Sequence, residues 1–227
     1  ILNVQSNSGG NGGSVTVKIT GSLFTNNMRA ILSKTGTTIN ASSIFYVNST
    51  SVFATFPLQG RPLGVYDVSL IKPDSSVAVL AAAFSIVSPN NGGLFTGGGV
   101  NTGPTGPGTE PGCDPGADAG LNSQLVTELV IPEKVFAGWP FTVQINFNNP
   151  TNMDIPAQTR VLYNDKGLLM AFTQAGLTSG TASLYIQLTE PGGPPGIIRA
   201  GGGGSIIIYS KAPLTVPGHT IVKFNLK

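Results

Sequence analysis

The sequence predicts an all-β protein in which a Gly/Pro-rich linker joins two antiparallel β-sandwiches. The 227 residues include 31 Gly and 17 Pro, which interrupt helices and mark turns. Charged residues make up only 10% of the chain, against roughly 25% in an average soluble domain, so helices with charged outer faces are not expected. Apolar residues are 40% of the chain and alternate with Ser, Thr and Asn, as in half-buried strands.

The first 88 residues contain six segments that read as strands. In the first of these, Val15, Val17 and Ile19 alternate with polar residues, so the three side chains are predicted to share one buried face. Turn pairs such as Thr35-Gly36 and Pro73-Asp74 separate the segments. Short strands at this spacing predict a sandwich. The predicted strands are 14–20, 29–34, 37–47, 51–57, 64–71 and 77–87.

A linker is predicted between the two sandwiches. Residues 90–120 contain 11 Gly and 4 Pro, a composition typical of inter-domain segments. The predicted organisation is therefore a first domain at 1–88, a linker at 89–120 and a second domain at 121–227. Each domain has the size of a small β-sandwich.

The C-terminal part also reads as strands. Phe141, Val143, Ile145 and Phe147 alternate strictly with polar residues and are predicted to form one buried face. Gly/Pro-rich turns separate this segment from the others. The predicted strands are 125–131, 140–148, 159–163, 168–173, 183–188, 205–209 and 220–226.

Five motifs in the first part occur in a characteristic order. Residues 19–24 read I-T-G-S-L-F, 51–57 read S-V-F-A-T-F-P and 62–70 read P-L-G-V-Y-D-V-S-L. Residues 72–74 and 84–87 follow as K-P-D and F-S-I-V. This part of the chain resembles the IPT/TIG-type immunoglobulin-like domain. The resemblance implies an all-β contact module of cell-surface, secreted and some regulatory proteins, and it brings no catalytic residues.

Two motifs in the second part of the chain also occur in a characteristic order. Residues 141–150 lead into D-I-P-A at 154–157, and residues 194–201 read P-P-G-I-I-R-A-G. Both are similar to segments of immunoglobulin-like modules in long bacterial surface proteins. Ala200 stands where that pattern has Pro. The resemblance implies a second sandwich and does not indicate a ligand.

The inventory of reactive side chains argues against an enzyme. His219 is the only histidine and Cys113 the only cysteine of the chain. One copy therefore cannot build a histidine-rich metal site or an internal disulfide. His219 lies in an alternating run and is predicted to sit at the end of a strand, facing solvent. No cofactor is predicted.

Charge and hydropathy exclude further classes of function. Twelve basic and ten acidic residues give a net charge of +2, and neither sign is clustered, so nucleic acid is not predicted as a partner. No apolar stretch has the roughly 18 residues of a membrane-spanning helix. The beginning of the sequence, Ile1-Leu2-Asn3, has no basic region before an apolar one and is expected to belong to a mature or excised fragment.

A few residues are candidate sites. Asn40 and Asn48 open N-x-S/T sequons and are candidate glycosylation sites, although such triplets arise readily by chance in a chain rich in Ser and Thr. Glu110, Asp114 and Asp118 recur every four positions as candidate Ca²⁺ ligands, but the spacing matches no EF-hand loop, so a solvated linker is preferred.

The aromatic residues Trp139, Tyr46 and Tyr185 are candidates for contact with a carbohydrate or a protein. For Trp139, packing in a core or between domains is the preferred reading. Cys113, in the predicted linker, is interpreted as an exposed and incidental thiol.

The sequence as a whole predicts a non-catalytic structural or adhesive module of an extracellular or cell-surface protein. Its expected partner is a protein or a cell surface, and this protein can be another copy of the chain itself. Two alternatives stay open. One is a subunit of an extracellular fibre assembled through strand or linker exchange, and the other is a carbohydrate-binding accessory module of a secreted enzyme.

Overall fold

A computed structural model describes residues 1–90, 125–214 and 221–227. The N-terminal part contains nine strands: β1 (Asn3–Gln5), β2 (Ser8–Gly10), β3 (Ser14–Thr20), β4 (Arg29–Lys34), β5 (Thr37–Asn40), β6 (Ser43–Asn48), β7 (Ser51–Pro57), β8 (Gly64–Ile71) and β9 (Val77–Val87). The C-terminal part adds β10 (Val126–Val130), β11 (Pro140–Asn148), β12 (Ile155–Pro156), β13 (Thr159–Asn164), β14 (Leu169–Ala171), β15 (Ser183–Gln187), β16 (Ile197–Ile198), β17 (Gly203–Lys211) and β18 (Phe224–Leu226). One short 3₁₀ helix covers Ala175–Ser179.

The chain divides into two compact units, and each unit is formed by several separate segments of the sequence. The described residues of unit 1 are 1–90, 148–156 and 189–203. Those of unit 2 are 125–147, 157–188, 204–214 and 221–227. The two segments 148–156 and 189–203, here called the docked segments, therefore belong with the N-terminal strands although they come late in the chain.

The N-terminal strands of unit 1 form two sheets. One has the order β1-β3-β7-β6 and the other the order β2-β9-β8-β4-β5. The pairs within them are antiparallel except β2 with β9, which is parallel. This is the strand order of an immunoglobulin-like sandwich, in which the first strand is shared between the two sheets. The predicted all-β, immunoglobulin-like fold class is confirmed.

The core of this sandwich lies between the two sheets. Val15, Val17 and Ile19 of β3 are fully buried, as their alternation predicts. Phe56 of the neighbouring β7 lies beside Val15 in the same sheet, and Tyr66 and Phe84 belong to the opposite sheet; none of the three rings is accessible to solvent. Burial of such large rings supplies most of the hydrophobic stabilisation of a small sandwich.

Tyr66 also fixes a corner of the sandwich. It lies near the start of β8, and its buried hydroxyl donates a 2.7 Å hydrogen bond to the carbonyl oxygen of Pro62. A tyrosine that bonds to the backbone a few residues upstream at this strand is a recurrent feature of immunoglobulin-like folds. The bond anchors the loop that precedes β8.

A bulge divides β9 into two halves. The register shifts between Tyr66 and Val68 of β8, where β9 has three intervening residues against one on its partner. Ala82, in the middle of this insertion, has φ of +51°. Its N–H is satisfied by Oδ1 of Asp67 at 2.7 Å. The Asp67 side chain thus replaces the main-chain partner that the bulge removes.

The docked segments complete unit 1. They pair with each other through β12 and β16 and bind the backbone of the N-terminal strands. The N–H of Asp154 donates to the Ser14 carbonyl, and the N–H of Gly10 donates to the Asn152 carbonyl, both at 2.8 Å. The predicted domain limits stay a prediction, but these contacts place two segments of the predicted second domain with the first sandwich.

Unit 2 contains two further sheets, with the orders β10-β11-β17-β14 and β15-β13-β18. The inward side chains of β11 are buried at Val143, Ile145 and Phe147, as predicted. Phe141 is half-buried and meets Phe224 edge-on, with 6.2 Å between the ring centres. The described residues contain no helix long and apolar enough to cross a membrane. The linker predicted for 89–120 lies outside the described residues from residue 91 onwards.

The structure corrects one strand of the sequence analysis. The strand predicted at 37–47 is divided, because the N–H of Ala41 bonds to the Ala30 carbonyl and the N–H of Ser42 bonds to the Thr55 carbonyl, in the opposite sheet. Gly21, which follows β3, is not among the glycines with positive φ. A Cβ atom at this position would lie 2.7 Å from the Phe24 ring, so Gly21 is required for space.

Candidate contact site

A tight turn in unit 2 leads the chain into β11. The N–H of Trp139 donates to the Phe136 carbonyl at 3.2 Å, and the N–H of Gly138 donates to the Ala212 carbonyl at 2.7 Å. Gly138 has φ of +81°, and a Cβ atom there would lie 2.6 Å from the side chain of Leu214. The positive φ therefore favours glycine, whereas the exposed Leu214 side chain could move away from a Cβ atom.

This turn presents large apolar side chains to solvent. Phe136 is 83% exposed, Trp139 72% and Leu214 80%. These three residues are called the aromatic turn below. Single exposed apolar residues are ordinary, but a group of them held together by backbone hydrogen bonds is a feature of contact surfaces. The expectation that Trp139 packs in a core is wrong.

The other two candidate aromatic residues lie elsewhere. Tyr185 is in unit 2, in the middle of β15, with 74% of its side chain exposed. Tyr46 is in unit 1, on β6, where it is half-buried and packs against the core of the sandwich. The structure thus places Trp139 and Tyr185 in one unit and Tyr46 in the other.

The two sequons differ in their local geometry. Asn48 ends β6 in an exposed turn, and its Oδ1 accepts hydrogen bonds from the N–H and the hydroxyl of Thr50 at 2.9 and 2.8 Å. Asn40 is exposed at the end of β5, but the hydroxyl of Ser42 in its sequon donates to the Thr55 carbonyl. Glycosylation of either asparagine stays a prediction.

Several predicted sites lie outside the described residues. They are the candidate cation ligands Glu110, Asp114 and Asp118, the single cysteine Cys113 and the single histidine His219. Within the part of the chain that the structure describes, no group of three or more His, Cys, Asp or Glu side chains is placed to hold a metal ion.

The structure also reveals a buried polar cluster that the sequence analysis missed. Thr16 of β3 points away from the core, yet it is fully buried because Asp154 of a docked segment covers it. Its hydroxyl donates a 2.5 Å hydrogen bond to Oδ2 of Asp154. The hydroxyl of Thr55 lies 2.7 Å from that of Thr16. Since Thr16 has one proton and gives it to the carboxylate, Thr55 acts as the donor in the second bond.

Burial controls the ionisation of Asp154. Desolvation raises the pKa of its carboxyl above the usual 3.8. The hydrogen bonds from Thr16 and from the N–H of Ala200, and the charge of Arg199, act in the opposite direction without cancelling the effect. Asp154 is therefore a partly buried carboxyl whose partners are supplied by β3 and by the second docked segment.

A second cluster lies on the same face of the sheet. Arg199 binds Glu190 through its Nε and Nη2 atoms, and the shortest contact is 2.5 Å from Nη2 to Oε1. The guanidinium carbon is also 4.8 Å from the centre of the Phe53 ring. Both charged side chains are largely buried. The ion pair and the stacked ring hold the second docked segment against β7.

Asn149 joins the two docked segments. Its side-chain NH₂ lies within hydrogen-bond distance of the carbonyl groups of Met153, Ile198 and Arg199. Its Oδ1 accepts from the N–H and the hydroxyl of Thr151. Asn149 is inaccessible to solvent, and every polar atom of its side chain has a partner. Nothing in the N-P-T sequence around it distinguishes this role from that of an ordinary turn.

No protein-family model matches the chain, and no curated protein matches it. Among solved structures, the chain is similar to a mutant Salmonella alpha-2-macroglobulin, with 12% sequence identity and a TM-score of 0.25. The similarity covers 97% of this chain and 14% of that protein, so the chain spans about one-seventh of its length.

Proposed function

We propose that the chain is a non-catalytic structural and adhesive module of an extracellular or cell-surface protein. The observation that carries the proposal is the aromatic turn, in which Phe136, Trp139 and Leu214 are exposed together. Aromatic side chains have few rotatable bonds and lose little conformational entropy on binding, so they make efficient contact residues. The resemblance of residues 1–88 to IPT/TIG domains points to the same role and stays a prediction.

The structure favours a protein surface as the partner of the aromatic turn. Phe136 and Leu214 have no polar atom in their side chains, and Trp139 contributes one N–H donor. Such a group is suited to an apolar depression on another protein, where aromatic anchors contribute most of the binding energy. Lys134 precedes the turn and Lys211 is the last residue of β17. Charges near a contact surface influence the rate of association.

Binding to immobilised extracellular-matrix proteins tests this role. Wild type is expected to bind at least one of them, and Phe136→Ala and Trp139→Ala are each expected to weaken that binding at least tenfold, as truncated anchors do. Tyr185→Ala is the matched control, because it removes an equally exposed aromatic ring from the same unit. Failure of wild type to bind, or equal loss in all three variants, would contradict the proposal.

Carbohydrate binding is the second candidate, and one observation favours it. Two aromatic side chains of unit 2, Trp139 and Tyr185, expose about three quarters of their surface, and such rings stack on the apolar faces of sugars. A glycan array distinguishes this role from the first. Binding that both Trp139→Ala and Tyr185→Ala weaken, together with no binding to matrix proteins, would support the carbohydrate function.

A further inference from the structure

Strand β6 forms an unprotected edge of the first sandwich. Among the described strands, its only neighbour is β7, and it ends the sheet order β1-β3-β7-β6. Main-chain N–H and C=O groups on the side opposite β7 therefore have no strand partner within the described residues. An edge of this kind accepts another extended strand by the same hydrogen bonds that hold a sheet together.

The side chains of β6 do not oppose such an addition. Ile44, Phe45, Tyr46 and Val47 are four successive residues of high strand propensity. Phe45 is 41% and Val47 44% exposed, while Ile44 and Tyr46 are half-buried at the rim of the core. Native sheets usually protect an edge with lysine, proline or an inward charge. Here no charged residue occurs between Lys34 and Arg61, and the protection is limited to one bulge between Tyr46 and Asn48.

Other edge strands of the described residues are less suited to pairing. Strands β1, β2 and β14 have only three residues each, and β5 exposes threonine and asparagine. Strand β10 carries Glu128, and β18 lies between Lys223 and Lys227. On β15, the exposed residues beside Tyr185 are the polar Ser183 and Gln187. Strand β6 is the longest of these edges with apolar side chains on both faces.

The absence of charge also indicates what the partner is. Around a two-fold axis, antiparallel pairing brings a strand against its own sequence, so a charged residue on the axis would oppose a like charge on the second copy. Strand β6 carries no charge and is therefore electrostatically compatible with itself. With Phe45 opposite Phe45 of the second copy, Ile44 opposes Tyr46, and each pair lies on a single face of the sheet.

We propose that two copies of the chain pair antiparallel through β6, which joins two four-stranded sheets into one continuous eight-stranded sheet. The partner in the proposed structural and adhesive role is then a second copy of the chain, and this inference rests on that proposed function. The pairing uses a different surface, however, because β6 is in unit 1 and the aromatic turn is in unit 2. A failure of ligand binding at Trp139 and a failure of dimerisation at Phe45 are therefore distinguishable.

The dimer is expected to be weak. Six residues from each copy are few compared with the roughly 20–30 a side of a standard interface. Weak pairing still matters when many copies are displayed together, because effective concentration multiplies the contribution of each contact. Assembly on a surface or in a fibre provides such a display.

Sedimentation velocity of the 227-residue chain tests the pairing between about 1 μM and about 1 mM, the range of weak complexes. Wild type is expected to shift from monomer to dimer. Phe45→Lys is expected to weaken dimerisation at least tenfold, because two lysines meet at the axis. Val65→Lys is the matched control, since it places a lysine at a similarly exposed position of β8, a strand that is paired on both sides. Circular dichroism verifies that each variant is folded.

A charge exchange separates pairing from damage to the fold. A mixture of Phe45→Lys and Phe45→Glu is expected to form a heterodimer at concentrations where each variant alone is monomeric. In a Cys113→Ser background, Phe45→Cys is expected to form a disulfide-linked dimer and Val65→Cys is not. The proposal is overturned if wild type stays monomeric at about 1 mM, if Phe45→Lys dimerises like wild type, or if the mixture forms no heterodimer.

Discussion

The hydroxyl of Thr16 donates a 2.5 Å hydrogen bond to Asp154, although 138 positions separate the two residues in the chain. The bond lies on the outer face of the first sheet, at a position where an alternating strand normally meets water. Its burial shows that this face is an internal surface of unit 1. The docked segments therefore belong to unit 1 by side-chain contacts as well as by position.

Removal of the Thr16 hydroxyl is expected to destabilise the protein. Thr16→Val keeps the shape of the side chain but withdraws a donor from the partly buried carboxylate of Asp154, at a cost of about 1–3 kcal/mol in the free energy of unfolding. Urea denaturation measures the change. Thr20→Val on the same strand is the control, because its hydroxyl makes only a 3.4 Å bond in an exposed setting. Equal effects of the two substitutions would refute the importance of the buried bond.

The stability of the protein is expected to depend on the ionisation of Asp154. Its pKa is raised in the folded state, so the stabilisation that the protonated carboxyl provides is complete below about pH 4 and is lost as pH rises through the folded pKa. Asp154→Asn removes this dependence. Relative to the variant, wild type should lose unfolding free energy as pH increases across that window, as urea melts at a series of pH values will measure.

Asp74 provides the control of opposite sign. The hydroxyl and N–H of Ser76 hold the pKa of this exposed carboxyl below its usual value. Its contribution to stability is therefore present above about pH 4 and is lost as pH falls through the folded pKa. Asp74→Asn should abolish an increase in the free energy of unfolding with rising pH. Asp154→Asn should abolish a decrease. The same slope in both variants would be incompatible with the burial of Asp154.

The corner hydrogen bond of Tyr66 to the Pro62 carbonyl is expected to contribute about 0.5–1.5 kcal/mol to stability, the net contribution of a typical intramolecular hydrogen bond. Tyr66→Phe removes only the hydroxyl and keeps the buried ring. Thermal unfolding is the measurement. Tyr185→Phe, which removes a hydroxyl from an exposed ring, is expected to change stability by less than about 0.5 kcal/mol. An equal effect at the two positions would argue against a special role of the corner.

The ion pair of Arg199 and Glu190 is expected to be sensitive to loss of one partner. Arg199→Met leaves a buried carboxylate uncompensated and removes the cation above Phe53, at a cost of about 3–5 kcal/mol. In the double variant Glu190→Gln/Arg199→Met, part of this cost should be recovered. Lys166→Met breaks the exposed pair with Asp165 and should cost about 0–1 kcal/mol. Chemical denaturation of the four proteins would detect the difference, and a loss of only about 1 kcal/mol at Arg199 would disprove the prediction.

The strands of the sandwiches are predictable because their signal is local. The alternation at β3 and β11 marks the buried faces, and β4, β7, β8 and β9 have the predicted limits. Strands β1 and β2 have only three residues each and no usable periodicity, so they exist through their pairing with β3 and β9. The break between β5 and β6 depends in the same way on partners in two different sheets.

The contact residues are less predictable than the strands. The size of the indole ring favours a packed position for Trp139, but the structure shows the side chain exposed. Thr16 occupies a polar position of an alternating strand, which ordinarily indicates contact with water. Only the return of residue 154 to this face makes it internal, and no property of the surrounding sequence encodes that return.

Unit 1 is formed by segments that the ribosome synthesises at different times. Its N-terminal strands are complete by residue 90, but the last residue that belongs to the unit is 203. At translation rates of about 5–20 residues per second, the outer face of the first sheet waits roughly 6–23 s for its cover. During that interval the ring of Phe53 and the hydroxyls of Thr16 and Thr55 are available to chaperones and to neighbouring nascent chains. The speed of synthesis between residues 90 and 203 therefore sets how long this protein is vulnerable to misassembly.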